Sequence, residues 1–209
     1  MIEKPLVLAT RNRGKIGEFR ALISDFQIEI KSLKDFGPLS PIEEDGATFE
    51  ENAYKKAYLT AKMLGFPVLA DDSGLMVDAL GGRPGVHSAR YAGENASDKE
   101  NNRKLLEAMK GVKNRKATFQ CVIIIAVPRG PALTYEAVCD GEITHQMKGA
   151  HGFGYDPVFY YPPLKKTFAQ MSMEEKNRVS HRGKAMAELR EEFDKVLVWL
   201  RQRLSEEPY

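Results

Sequence analysis

The chain has 209 residues, 43% of them hydrophobic, enough for one substantial core or one core with a smaller lobe. Its charged residues, 29% of the chain, nearly balance at +2, which excludes a general nucleic-acid coat and leaves room only for a local basic patch. Cys121 and Cys139 lack C-x-x-C spacing and read as reduced, buried thiols rather than zinc ligands. The first apolar run is too short for a signal peptide, and no stretch approaches the roughly 20 apolar residues of a membrane span. The expected compartment is therefore the cytoplasm, with no membrane partner.

Leu6–Ala9 reads as a short buried strand. Lys15–Phe26 follows with helical apolar spacing at Ile16, Phe19, Leu22 and Ile23. Ile28–Ser32 suits a second strand, and the Pro-, Gly- and acid-rich segment Leu33–Gly46 reads as loop. Thr48 with Glu51 forms a capping box, predicting a helix to about Leu64 that ends at Gly65. Pro67–Ala70 is a short strand expected to deliver Asp71 and Asp72 at its carboxyl end. A second capping box, Ser97 with Glu100, opens a helix to about Lys110. Ala117–Val127 reads as a long strand. Leu133–Gln146 reads as one or two more, with Asp140-Gly141 as a turn or bulge. Ser172 and Glu175 start a short helical turn, and Arg182–Leu204 is a long amphipathic helix. Interleaved strands and helices give an α/β class with a mixed sheet. No repeat or linker divides residues 1–209, which read as a single domain.

Five stretches carry residues suited to chemistry. "TRNRGK", Thr10–Lys15, lies between a strand and a helix, where free N–H groups and the helix dipole favour phosphate. It is not a P-loop, which would need glycine at position 9 and Ser or Thr at position 16. "EEDG" places Glu43 and Glu44 beside a helix on which Asn52 and Lys56 share a face. Glu51 and Lys55 on that helix read as an ordinary surface ion pair. "LADDSG" sets Asp71 beside Asp72, and adjacent carboxylates repel each other unless a cation or strong donors neutralise them. With Glu44 they would suit Mg²⁺, which takes one or two carboxylates plus substrate phosphates and water. "GFGYDPVF" offers Phe153 and Tyr155 as flat faces for a planar base, with Asp156 held extended before Pro157. "EEKNRVSHRGKA" adds the donors Lys176, His181 and Arg182 at the start of a long helix. They bring donors and little acceptor capacity. Each stretch alone also has a bland reading as a basic turn, an acidic cap or a buried aromatic turn.

In order and spacing these stretches closely resemble the inosine triphosphate pyrophosphatases, which act on noncanonical purine nucleoside triphosphates. The likeness runs from Leu6 to about Leu189. It implies an elongated α/β fold, a mixed central sheet flanked by helices, with two lobes around a central substrate cleft. It also implies a homodimer, Mg²⁺ dependence, and hydrolysis of ITP, dITP and XTP to the monophosphate and pyrophosphate. Carried over by position, Thr10, Arg11, Asn12, Arg13, Gly14 and Lys15 would hold the triphosphate and Lys56 would contact phosphate. Glu44, Asp71 and Asp72 would serve the metal, and Asp72 would also accept the proton. Ser73 would lie beside the substrate. Phe153, Gly154, Tyr155, Asp156, Lys176, His181 and Arg182 would form the base pocket. Arg11 stands where many members have a small residue, and His87 where tyrosine is frequent.

Two other readings compete. A nucleotide- or RNA-binding protein without catalysis would use the basic and aromatic residues but has no need of three carboxylates, so no stable nucleic-acid partner is expected. A septum-associated type of nucleotide pyrophosphatase would share the fold, and the "SHR" and "FGYDP" elements argue against it.

Overall fold

The computed structural model describes residues 4–205, the side chain of Arg13 excepted. Its strands are β1 (Leu6–Leu8), β2 (Ile30–Ser32), β3 (Val68–Val77), β4 (Lys116–Ala126), β5 (Ala132–Ile143), β6 (Phe159–Tyr161) and β7 (Lys166–Thr167). They form one seven-stranded sheet in the order β2-β1-β3-β4-β5-β6-β7. The helices are α1 (Arg13–Leu22), α2 (Phe49–Leu64), α3 (Asp98–Ala108), α4 (Met173–Val179) and α5 (His181–Ser205). The sheet is mixed: β1 is parallel to both β2 and β3, whereas β6 is antiparallel to β5 and β7. This is the α/β architecture expected from the interleaved pattern. Among the described residues no helix is long and apolar enough to cross a membrane.

The chain divides into two compact units. The first comprises residues 1–72, 122–136 and 185–209, and the second residues 73–121 and 137–184. In the first, β1 is a fully buried Leu-Val-Leu run, as a strand covered on both faces must be. Phe19 and Ile23, together with Phe193 and Leu200 on α5, are also buried there. In the second, Leu75, Leu105, Met109, Phe119, Phe159 and Phe168 anchor one apolar cluster. The burial pattern of β4 follows this division. Its first residues alternate between buried and partly exposed, and Cys121 to Ala126 are buried without a break.

The helix-start signals perform as expected, with one adjustment. Ser97 with Glu100 and Ser172 with Glu175 form reciprocal capping boxes. Thr48 accepts from the Glu51 N–H, but the Glu51 carboxylate accepts from Ala47 N–H at 2.6 Å, one residue further back. Gly65 closes α2 in the left-handed conformation.

Three expectations need correction. First, the strand at Pro67–Ala70 does not stop before the aspartates. It continues through them to Val77, because Leu75 and Val77 resume the buried alternation. Secondly, Asp140-Gly141 is neither turn nor bulge, since β5 keeps its inward phase through Cys139 and Ile143. Gly141 serves close packing instead: an added Cβ would meet the Phe159 ring and the Tyr160 carbonyl at 2.5 Å. Thirdly, Asp156-Pro157 lies inside a turn, where Val158 N–H and Phe159 N–H both donate to Tyr155 O, rather than in an extended segment. Both cysteines are buried and outside any disulfide, as their spacing suggests.

Candidate active site

The first unit gathers carboxylates and ammonium groups just past the end of β1. The last pairing between β1 and β3 is Leu8 with Leu69, and Ala9 N–H donates to Leu69 O. Asp71 and Asp72 follow directly on β3, past the point where the neighbouring strand has ended. Asp71, only 3% exposed, pairs with Lys15 at 2.7 Å. Lys56 donates to Glu44 Oε2 at 2.9 Å and to the Asp71 carbonyl at 2.8 Å, and stands 3.5 Å from Asp72 Oδ1. One ammonium is thus shared by Glu44 and Asp72. Burial works against the Lys56 charge, yet Asp72, Glu44 and Asp71 together outweigh it and push its pKa up. The Asp72 carboxyl is also pushed above the ordinary range, first by burial and then by the Glu44 and Asp71 charges, against the opposing pull of Lys56 and Lys15.

Glu44 owes its place to a clasp between its loop and α2. Glu44 binds Lys56, Asp45 binds Lys55, Gly46 N–H donates to Asn52 Oδ1, and Ala47 N–H donates to Glu51. Going forward along the loop, the partners run backward along the helix. Lys55 and Glu51 therefore each hold the loop and do not form the surface pair read from their spacing. Asn52, on the same helix face as Lys56, is buried.

The "TRNRGK" segment leads into α1 as expected, although the helix starts earlier, at Arg13. Asn12 caps it, with Oδ1 accepting from Gly14 and Lys15 N–H at 2.8 and 3.2 Å. Those two donors are engaged rather than free, and Asn12 must swing aside before they could meet a phosphate. Thr10 Oγ1 accepts from Asn12 N–H, and Arg11 reaches Leu39 O. The Arg13 side chain lies outside the described residues.

Among the described residues, no three His, Cys, Asp or Glu side chains stand close enough together to enclose an ion. Glu44 and Asp72 nevertheless offer hard oxygen donors that already share a cation, the Lys56 ammonium. An ion that needs only one or two carboxylates besides phosphate oxygens and water fits this donor set.

The second unit holds a separate group of aromatic and basic side chains. Phe153 is 42% exposed. Lys176 Nζ lies 4.7 Å and Arg182 Cζ 5.5 Å from its ring centroid. Buried Asp156 accepts from Lys176 Nζ at 2.5 Å and from Phe153 N–H at 3.0 Å. Burial raises the Asp156 pKa, opposed chiefly by the Lys176 charge. Tyr155 is no exposed platform: it is buried, with its hydroxyl donating to Ser88 O at 2.8 Å. The buried His181 ring stacks on Phe119 at 4.5 Å. Arg182 donates to Ser73 Oγ at 3.2 Å. Ser180 caps α5 through the Gly183 N–H. Gly154 is gripped by Asp98 and Asn102 of α3, neither of which stands out in the sequence beyond the capping box beside them.

The charged cluster lies at the carboxyl end of β1 in an open α/β sheet, the edge at which ligands bind in such sheets. Residues 6–192 match the Ham1 family model, and the chain belongs to the Ham1 family. It is 60% identical to the dITP/XTP pyrophosphatase of Syntrophobacter fumaroxidans over 97% of this chain and 87% of that protein. It is 59% identical to the dITP/XTP pyrophosphatase of Desulfotalea psychrophila, over 97% of this chain and 91% of that one. The solved structure of the Staphylococcus aureus Ham1 protein matches with a TM-score of 0.86 at 43% identity, covering 92% of this chain and 99% of that one.

Proposed function

We propose that this protein hydrolyses noncanonical purine nucleoside triphosphates, dITP, XTP and ITP, to the monophosphate and pyrophosphate. Acting in the cytoplasm, it removes deaminated purines from the nucleotide pool. The observation that carries this reading is the pairing of Glu44 and Asp72 around one ammonium, that of Lys56. The reading agrees with the names of the relatives.

In this reading Asp72 accepts a proton from water as the water oxygen bonds to the α-phosphorus. The bond from that phosphorus to the bridging oxygen breaks, and pyrophosphate leaves with the bonding electrons. A carboxylate held above its ordinary pKa is a better base for this step. Lys15 and Lys56, each paired with carboxylates, meet the negative charge of the phosphates. Glu44 and Asp72, with Asp71 behind them paired to Lys15, would hold Mg²⁺. When bound, that ion offsets phosphate charge and lowers the pKa of water. Phe153 offers a face to the purine, and Lys176 and Arg182 offer donors to its C6 oxygen.

The test is product release from dITP, XTP, ITP, ATP and GTP with and without Mg²⁺. Pyrophosphate from the first three, dependent on Mg²⁺, is the expected result. Orthophosphate as the product, or equal rates on ATP and GTP, would overturn the reading.

We further propose a homodimer. Light scattering should give twice the 23.5 kDa chain mass, and a stable single-chain particle at micromolar concentration would rule it out.

A further inference from the structure

Phe153 is held from both sides by backbone that only glycine suits. Gly152 has φ of 77°, and a Cβ added there would stand 1.9 Å from Asp156 Oδ2. Gly154 has φ of 62° and turns both of its backbone groups toward α3. Its N–H donates to Asp98 Oδ2 at 2.7 Å, and its carbonyl accepts from Asn102 Nδ2 at 2.7 Å. Asn102 Nδ2 also donates to the Asp98 carbonyl at 2.7 Å. Two carbonyl acceptors fix which end of the Asn102 amide faces them. Its oxygen, in a residue only 1% exposed, has no hydrogen-bond partner. A buried acceptor without a donor is a standing cost. Asn102 is therefore placed for its donor and not for packing. Residues 145–153 are all exposed, and on that side the loop is held by backbone bonds, Ala150 and His151 N–H to Ala169 O and Phe153 N–H to Asp156 Oδ2, with the α3 clamp as the hold on its other side.

We infer that the first turns of α3 set base recognition: Asp98 and Asn102 are positioning residues that clamp Gly154 and thereby aim Phe153. The inference rests on the proposed reading of Phe153 as the face that meets the purine. The clamp touches no phosphate group in that reading, so its loss acts on the base alone.

The experiment compares Asp98→Ala, Asp98→Asn, Asn102→Ala and Phe153→Ala in the full chain. It measures kcat and KM for dITP and the Kd of IMP by calorimetry. Both clamp-to-alanine variants should raise KM and the IMP Kd by about tenfold, with kcat held within about threefold. Asp98→Asn keeps an acceptor for the Gly154 N–H and should return both values to within about threefold of wild type. Asp98 is exposed, so its variants keep the test open if Asn102→Ala fails to fold. Unchanged KM and Kd in Asp98→Ala, with both raised in Phe153→Ala, would overturn the clamp and leave the base reading standing. A fall in kcat alone would also overturn the clamp. Unchanged values in Phe153→Ala would overturn the base reading and the clamp with it.

Discussion

Asp72→Asn is expected to lose pyrophosphate release by about 10²–10⁴-fold while the protein stays folded. Asparagine keeps the shape and the hydrogen-bonding oxygen but cannot take a proton from water. The stability side of the prediction follows from the raised pKa of Asp72. A carboxyl whose folded pKa lies above its unfolded value holds its proton more tightly in the fold. Stability then falls as pH rises from the ordinary carboxylate range through the raised value, and the ionised form remains a cost above it. At neutral pH the neutral amide removes that cost, while Lys56 keeps its Glu44 partner. The Tm of Asp72→Asn should equal or exceed that of the parent. Lost activity at undiminished stability marks a group kept for chemistry. Normal pyrophosphate release by the folded variant would remove Asp72 from its role, and a lower Tm would show that its charge supports the fold.

Lys15→Met is expected to destabilise the protein by about 3 kcal/mol, or roughly 10 °C in Tm at about 3 °C per kcal/mol. The Asp71 side chain is 1% exposed, and Lys15 reaches it at 2.7 Å. Removing the ammonium leaves a buried carboxylate short of its nearest countercharge. Lys56, which feels the Asp71 charge, keeps the loss at the low end of the range for broken buried pairs. Adding Asp71→Asn to Lys15→Met removes the stranded charge and should recover at least half of the loss. Urea unfolding of the two single variants and the double variant measures this coupling. A Lys15→Met protein within about 1 kcal/mol of wild type, below the range for a broken buried pair, would show that solvent or other cations already satisfy Asp71.

What was legible in the sequence was mostly local. Capping residues located α2, α3 and α4, and runs of branched apolar residues located β1 and β4, because these signals lie within a few residues of the elements they mark. The continuation of β3 was hidden. Asp71-Asp72-Ser73-Gly74 interrupts its apolar pattern, and past the end of β1 the neighbour that remains in the sheet is β4, more than forty residues on in sequence. The acidic and aromatic motifs pointed to the groups that the structure gathers, Glu44 with Lys56 and Asp72, and Asp156 with Lys176. Their supports were not visible. Asp98, Asn102 and Asn52 look like polar residues on solvated helix faces, and only the fold shows that they hold backbone 6 to 56 residues away.

Glu44 takes its position from α2 and not from the path that leads to it. Apart from the Arg11 bond to Leu39 O, the stretch from Gly37 to Glu43 carries little positional information, and added length there is expected to be tolerated. Extra residues there enter as loop-closure entropy, which grows only with the logarithm of length. One residue inserted between Gly46 and Thr48 is different. It would throw residues 44–46 out of step with the helix, so that Lys56, Lys55 and Asn52 lost their present partners in the loop. Two neighbouring segments of similar polarity thus face opposite evolutionary constraints, one tolerant of insertion and the other intolerant of a single added residue.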